Sequence, residues 1–100
     1  MATLTWIWFE IFPDTRVSPS LTLVFDQFDE PRIFTLTAVV YLGGIHFTTR
    51  WRDRSGVWWK YDGRERHGTP VIDTINDESD LRQYDRRRMC SLIYVLEQDA

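Results

Sequence analysis

The hydrophobic residues of the chain fall into short runs that are separated by polar and turn-forming residues. The runs are rich in β-branched and aromatic side chains and cover residues 4–12, 17–23, 33–42, 46–52, 57–61 and 89–96. Segments of this length and composition are typical of β-strands. The pattern predicts a mainly antiparallel β sheet in a single domain that spans residues 1–100.

The alternation of side chains within the first run predicts where its strand lies. Trp6 and Trp8 share one face of this strand, and the other face carries Ile7, Phe9 and Ile11. Both faces are apolar, and a strand of this kind is usually covered on both sides. We therefore expect the first strand to be central in the sheet.

The third run and the polar segments around it give three further expectations. Strict alternation in residues 33–42 would place four side chains on one face, namely Phe34, Leu36, Ala38 and Val40. Residues 26–32 are acidic and include a proline, which predicts a solvated loop. Residues 80–88 are interpreted as a turn of helix, capped by Ser79 or Asp80.

Composition narrows the class of protein. Hydrophobic residues make up 43% of the chain, with five Trp, six Phe and four Tyr, so we expect a packed core. The formal charge of −3 favours neither a nucleic-acid nor a membrane partner. With a single cysteine, no apolar run of about 18 residues and no signal-peptide pattern, the expected location is intracellular, in the cytoplasm or nucleus.

Candidate chemistry is concentrated in residues 38–63. This stretch contains a glycine turn at residues 43–44, His46 just after it, a second turn at residues 55–56, and an aromatic run that ends at Asp62. A glycine pair suits a two-residue hairpin turn because glycine adopts positive φ without a Cβ penalty. Folded as three successive antiparallel strands, the stretch would bring His46 and Asp62 side by side.

The order of these motifs resembles the ubiquitin-specific proteases, the papain-like cysteine deubiquitinases of peptidase family C19. The resemblance is to the C-terminal half of the catalytic domain only. It rests on Gly-Gly-Ile-His-Phe at residues 43–47 and Gly-Val-Trp-Trp-Lys-Tyr-Asp at residues 56–62, with supporting strands at residues 4–12, 17–23, 34–40 and 90–94. The pieces occur in the family's order and span nearly the whole chain.

The resemblance implies a fold and a function. The fold would be the palm half of an α+β papain-like cysteine peptidase, and the substrate would end in a ubiquitin-like C-terminus. His46 would be the general base of a thiol protease and Asp62 the residue that orients it, because a thiolate nucleophile needs an imidazole fixed by a third group. Gly44 and Phe47 would contact substrate. Ubiquitin or a ubiquitin-like protein is the implied partner, and neither a cofactor nor a metal is implied.

The chain also departs from the family pattern. The family's nucleophilic cysteine lies in an N-terminal half that has no counterpart here, and Ile45, Phe47 and Gly63 stand where the family usually has Gly, Tyr and an acidic residue. We therefore expect the isolated chain to be inactive, with the missing N-terminal half of the domain as a partner. The alternative is a non-catalytic ubiquitin-binding or protein-binding module derived from such a domain.

Other clusters of chemically active residues have simpler interpretations. Cys90 could replace the nucleophile, but its alternation with Leu92, Tyr94 and Leu96 indicates a small core residue. A metal site built from His46, Asp62, His67 and Cys90 would lack any recognised ligand spacing, so none is predicted.

Two arginine-rich segments remain. Arg50, Arg52 and Arg54 alternate with tryptophans at residues 51, 58 and 59, an arrangement that could stack on single-stranded nucleic acid. With a net negative chain, we favour a packed aromatic face with solvated arginines. Residues 86–88 are interpreted as a charged surface near Asp80 and Asp85.

Overall fold

The computed structural model describes residues 4–13, 15–63, 68–84 and 86–97. The described residues form one antiparallel sheet with eight strands, which confirms the predicted β-rich fold. The strands are β1 (Trp6–Glu10), β2 (Thr22–Gln27), β3 (Glu30–Gly43), β4 (His46–Arg52), β5 (Trp58–Asp62), β6 (Val71–Asp73), β7 (Gln83–Tyr84) and β8 (Arg87–Leu96). A short 3-10 helix covers Glu78–Leu81.

The longest strand, β3, pairs with three other strands of the sheet. The main strand order is β1-β8-β3-β4-β5-β6, with β2 paired to β3 and β7 paired to β8. On one side of β3, its first half pairs with β2 and its second half with β4. On the other side β3 pairs with β8 along most of its length. β4 pairs directly with β3, and β5 pairs with β4. The meander that carries His46 and Asp62 is therefore joined to the longest strand of the sheet.

One face of the sheet, which we call the core face, carries the buried side chains. They come from β3, β5, β7, β8 and the 3-10 helix and are Phe34, Leu36, Val39, Tyr41, Trp58, Leu81, Tyr84, Met89, Leu92 and Tyr94. The segment before β2 packs over this face, where Tyr94 donates a hydrogen bond of 2.6 Å to the carbonyl of Ser20. Tyr94 also meets the ring of Phe9 edge to face, with centroids 5.8 Å apart.

The predicted alternation along β3 is wrong beyond Leu36. Leu36 pairs with Tyr94 and Ala38 with Ile93, so Thr37 is an extra residue in a β-bulge. The bulge shifts the period by one residue, and Val39 is buried where Val40 was expected. A second irregularity, at Cys90 on β8, keeps the two strands in register beyond that point.

The first strand is not central. β1 is the first strand of the sheet order and pairs with β8. Its Trp6 and Trp8 are 54% and 53% exposed on the face opposite the core, so the expected cover on this side is not provided by the described residues. This second face, which we call the open face, also carries exposed apolar side chains at Phe47, Ile72 and Val95. The sheet therefore has one packed face and one largely open apolar face.

The loop predicted at residues 26–32 is a tight hairpin instead. Gln27 pairs with Glu30, and the two turn residues Phe28 and Asp29 have φ of 53° and 62°. Positive φ at both central residues is the geometry of a type I′ turn, which matches the twist of the flanking strands. Pro31 is accommodated within β3, opposite Asp26.

The helical turn predicted at residues 80–88 is displaced and shorter. The 3-10 helix ends at Leu81 and is capped by Asp77, whose carboxylate accepts from the backbone of Ser79 at 2.8 Å. Hydrogen bonds from Ser79 lower the pKa of Asp77. The chain then continues as β7 and β8, and the buried apolar side chains of these strands lie on the core face. In the described part of the chain, no helix is long and apolar enough to cross a membrane.

Candidate functional site

His46 is the first residue of β4 and follows a two-residue turn. Gly43 pairs with His46, so the turn residues are Gly44 and Ile45 and not the predicted glycine pair. Gly44 has φ of +63°, which glycine adopts without strain, and Ile45 is fully solvated at the tip. This turn fixes where β4 starts and places His46 on the core face beside the end of β5.

Asp62 is the last residue of β5 and is nearly inaccessible. Its ladder partner on β4 is Thr48, so His46 and Asp62 are diagonal neighbours on one face. Diagonal neighbours lie farther apart than facing residues, but long side chains still reach each other. The Asp62 side chain is 2% exposed and that of His46 is 19% exposed. The two residues that the sequence predicted to be adjacent are therefore brought together.

The two side chains meet through Nε2 of the imidazole. His46 Nε2 lies 3.4 Å from Oδ1 and 3.5 Å from Oδ2 of Asp62. At this distance a carboxylate stabilises an imidazolium mainly through charge and accepts at most a long hydrogen bond. Since Asp62 is almost completely shielded from water, its charge acts on His46 with little screening.

A third residue, Arg87, completes the cluster and was missed by the sequence interpretation. Its Nη2 lies 2.8 Å from His46 Nε2 and 3.5 Å from Asp62 Oδ2. Its side chain is only 14% exposed, so it does not belong to the predicted charged surface. The available signal was alternation, because Arg87 lies two residues before the buried Met89 on β8.

Gly43 allows Arg87 to reach this position. A Cβ at Gly43 would overlap the Cγ of Arg87, so the arginine stem crosses directly over the glycine backbone. The guanidinium then lies 5.8 Å from the centre of the Tyr84 ring, within range of a cation–π interaction. The residue before the turn is therefore glycine because Arg87 needs the space.

A second arginine ties the neighbouring elements together. Arg50 donates from Nε to Asp73 at 2.6 Å and from Nη1 to the carbonyls of Asp80 and Gln83 at 2.7 and 3.1 Å. It also donates to the hydroxyl of Tyr41 at 3.1 Å. The predicted solvated position of Arg50 is wrong, because the side chain is 12% exposed. Arg50 thus links β4 to β6, to the 3-10 helix and to β7.

Tyr41, another residue of the core face, belongs to the same group of hydrogen bonds around Arg50. Its hydroxyl donates a hydrogen bond of 2.6 Å to the carbonyl of Leu81. Burial raises the pKa of Tyr41 to about 12, although the hydrogen bond and charge of Arg50 act in the opposite direction. Tyr41 is therefore a neutral structural donor at physiological pH and not a candidate acid or base.

The predicted substrate-contact residues lie close to His46 along the chain but point elsewhere. Phe47 is 60% exposed on the open face, since neighbouring residues of a strand alternate between faces. Gly44 is exposed at the turn, and no heavy atom lies within 4 Å of the position that its Cβ would take. Substrate contact by Gly44 and Phe47 stays a prediction.

Cys90 and the metal hypothesis can be placed as well. Cys90 is half-buried at the β8 irregularity and out of phase with Leu92, and its thiol makes no hydrogen bond to His46 among the described residues. No group of three or more metal-ligating side chains occurs in the described ranges. His67, which the metal hypothesis included, lies outside the described residues.

The tryptophans of the meander divide between the two faces of the sheet. Trp58 is buried on the core face, whereas Trp51 and Trp59 pair with each other on the open face and are half-buried. The aromatic side chains therefore do not form one continuous stacking surface with the arginines.

Comparison with known proteins gives a match in fold alone. No family model and no curated protein matches the sequence. One chain of the solved structure of the SAGA DUB module, with Ubp8, Sgf11, Sus1 and Sgf73 bound to monoubiquitin, matches with a TM-score of 0.55 and 17% identity. This chain shares a fold with part of a deubiquitinase module. The match covers 87% of this chain and 19% of that chain, so the shared fold is a small part of the matched protein.

Proposed function

We propose that the chain is the C-terminal part of a ubiquitin-specific-protease-like domain, with His46 as its general base and Asp62 as the residue that orients the base. The observation that carries this proposal is the contact of the two side chains, 3.4 Å apart on one face of the sheet. The shared fold with a deubiquitinase module supports it. The wider papain-like palm architecture belongs to the same proposal.

The chemistry follows from the two ring nitrogens of His46. Nε2 faces Asp62, so Nδ1 is the nitrogen that would meet a thiol. The imidazole takes the thiol proton, and the thiolate attacks the carbonyl carbon after the ubiquitin-like C-terminus. The imidazolium then protonates the leaving amine, and water hydrolyses the thioester. Asp62 stabilises the charged imidazolium throughout, which is the usual role of the third triad member.

The nucleophile is proposed to come from another polypeptide segment, because no hydrogen bond joins the half-buried Cys90 thiol to His46 among the described residues. That segment must bring its thiol to His46 on the core face, whereas the open face, with Trp6 and Trp8 exposed, offers a second surface for the rest of the partner segment. An exposed apolar patch of this kind is more often an interaction surface than a surface that stays in contact with water. Phe47, which follows His46 in the sequence but is exposed on the opposite, open face, is proposed to contact substrate together with Gly44 at the adjoining turn.

The test uses the complete polypeptide encoded by the natural transcript, treated with ubiquitin that carries a C-terminal thiol-reactive electrophile. We expect covalent labelling of a cysteine outside residues 1–100, with the rate reduced at least a hundredfold by His46→Ala and less by Asp62→Ala. The isolated chain should show no labelling at Cys90. Labelling of the complete polypeptide at the wild-type rate in His46→Ala, or labelling of Cys90, would overturn the assignment.

The open face also favours the second candidate, a non-catalytic module that binds ubiquitin or another protein. Backbone amide NMR of the isolated chain, titrated with monoubiquitin, distinguishes the two candidates. A binding module is expected to show saturable shifts on the open face that are lost in Trp8→Ala, together with no labelling of the complete polypeptide. The matched control is Phe25→Ala, an exposed aromatic residue of β2 whose ring packs edge to face on Phe34 on the opposite, core face.

A further inference from the structure

Arg87 makes the shortest polar contact to His46, and it does so at the nitrogen that faces Asp62. The distance from Arg87 Nη2 to His46 Nε2 is 2.8 Å, whereas the nearest Asp62 oxygen is 3.4 Å from the same nitrogen. A guanidinium has only N–H donors and keeps its charge in proteins. His46 Nε2 must therefore accept this hydrogen bond with its lone pair. In the neutral imidazole, the proton then lies on Nδ1.

We propose that Arg87 is a tautomer lock, which holds the neutral His46 ring with its proton on Nδ1. Residues on several strands hold the Arg87 side chain in this position. Gly43 on β3 leaves room for the arginine stem, Tyr84 on β7 lies against the guanidinium, and Asp62 on β5 balances its charge. Among the described residues, the charged groups in contact with the imidazole are Asp62 from β5 and Arg87 from β8.

The tautomer follows from this geometry alone, but its meaning for catalysis rests on the proposed function. A general base needs a lone pair on Nδ1 to take the thiol proton, and Asp62 needs a proton on Nε2 to orient the ring. The locked tautomer has the opposite arrangement, with the proton on Nδ1 and the lone pair on Nε2. Proton transfer requires the guanidinium to leave Nε2, after which Asp62 can accept from Nε2–H. Arg87 is therefore a positioning residue that keeps the site in a resting state.

The lock can be tested without any activity assay. Long-range ¹H–¹⁵N NMR of the protein labelled at histidine distinguishes a protonated from an unprotonated ring nitrogen, and the variant His67→Gln assigns the two histidines. In the neutral ring of the wild type we expect the Nδ1–H tautomer of His46 in about tenfold excess or more, since the charge-assisted hydrogen bond favours it. Arg87→Met keeps the aliphatic stem over Gly43 and should invert this ratio in favour of Nε2–H.

The matched control is Arg88→Met, because Arg88 is the exposed neighbour whose partner on β3 is Leu42. It should leave the His46 tautomer as in the wild type. If Arg87→Met fails to fold, Arg87→Leu provides the same removal of charge. A wild-type ring protonated on Nε2, or an unchanged ratio in the folded Arg87 variant, would show that the lock does not exist.

Labelling of the complete polypeptide separates this inference from the proposed function. Release of the lock should raise the labelling rate several-fold in Arg87→Met and leave it unchanged in Arg88→Met. If the tautomer inverts but neither protein is labelled, the lock stands and the proposed catalytic function fails. If labelling depends on His46 but the tautomer does not respond to Arg87, the function stands and the lock is wrong.

Discussion

His46 and Asp62 lie diagonally across the β4–β5 ladder, because Thr48 and not His46 is the residue paired with Asp62. The diagonal leaves a gap of 3.4 Å between Nε2 and the nearest carboxylate oxygen. Arg87 lies beside this contact, with its Nη2 2.8 Å from Nε2 of His46 and 3.5 Å from Oδ2 of Asp62. The three residues therefore form one electrostatic unit, in which the carboxylate compensates the charge of the guanidinium and the guanidinium donates to the imidazole.

The first prediction concerns the stability of this unit. Asp62→Ala leaves the Arg87 guanidinium shielded without its carboxylate, and the free energy of unfolding should fall by about 2–3 kcal/mol. Arg87→Met in the same chain should recover part of this loss, because the charge that has lost Asp62 is then removed. Urea denaturation of both single variants and the double variant measures the coupling. Strictly additive losses would contradict a shared unit.

The second prediction separates the roles of the two glycines at the turn before His46. Gly43→Ala places a methyl group onto the Arg87 stem and should cost about 1–3 kcal/mol of stability. The methyl group of Gly44→Ala would contact no neighbour, but alanine would have to adopt the positive φ of this turn. We expect this strain to lower the stability by about 1 kcal/mol. Adding Arg87→Ala removes the closest contact, that with Cγ, and should rescue part of the loss in the Gly43 variant and none in the Gly44 variant. Thermal unfolding of the four proteins measures this, and equal rescue of both would refute the steric explanation.

The third prediction assigns the structural role of Arg50. Arg50→Met removes the ion pair with Asp73, whose side chain is 12% exposed, and the hydrogen bonds to the backbone carbonyls of Asp80 and Gln83. The free energy of unfolding should fall by about 3 kcal/mol. The control Arg54→Met, in the exposed β4–β5 loop, should change it by less than about 0.5 kcal/mol. A small effect at Arg50, measured by urea denaturation, would mean that the cluster is not needed to hold β6.

The strand assignment could be predicted from the sequence, but the assignment of faces could not. The runs at residues 46–52 and 57–61 are strands because their β-branched and aromatic side chains suit a pleated surface. The burial of Val39 depends on the bulge at Thr37, and a bulge has no marker in a single sequence. A period of two therefore predicts the faces correctly only as far as the first irregularity.

The site could be predicted in part for a related reason. His46 and Asp62 are connected through a short meander, so their proximity follows from local hairpin geometry. Arg87 reaches them from β8, 41 residues after His46 along the chain, through a sheet order that the sequence does not encode locally. Arginine was expected at the surface because its charge is costly to bury without partners. Here Asp62 and Asp73 are the partners that make the two burials possible.

The fourth prediction uses the β2–β3 hairpin. Phe28 and Asp29 both have positive φ, which non-glycine residues adopt only at some energetic cost. Replacing them with Asn and Gly, the preferred type I′ pair, should stabilise the protein by about 1 kcal/mol. Both side chains are exposed, so no core contact is lost. A lower midpoint of thermal unfolding in the double variant would show that Phe28 contributes a contact that outweighs its backbone strain.

The last prediction concerns acid stability at the β4–β5 loop. The Asp53 carboxylate accepts hydrogen bonds from the Trp59 indole at 2.9 Å, from the Ser55 hydroxyl and from two backbone amides. These bonds, with that from Trp59 the largest contribution, lower the pKa of Asp53 to about 2. Because the pKa is lower in the folded protein, the stabilisation is complete above the unfolded value near 4 and is lost as the pH falls towards 2.

Asp53→Asn lacks this titration, so its stability deficit relative to the wild type should be largest at neutral pH and should shrink between pH 4 and pH 2. Urea denaturation of both proteins across this range isolates Asp53, since the other carboxyl groups titrate in both. The indole Nε1–H resonance of Trp59 should move over the same interval in the wild type only. A deficit that stays constant down to pH 2 would mean that the hydrogen bonds do not depend on the charge of Asp53.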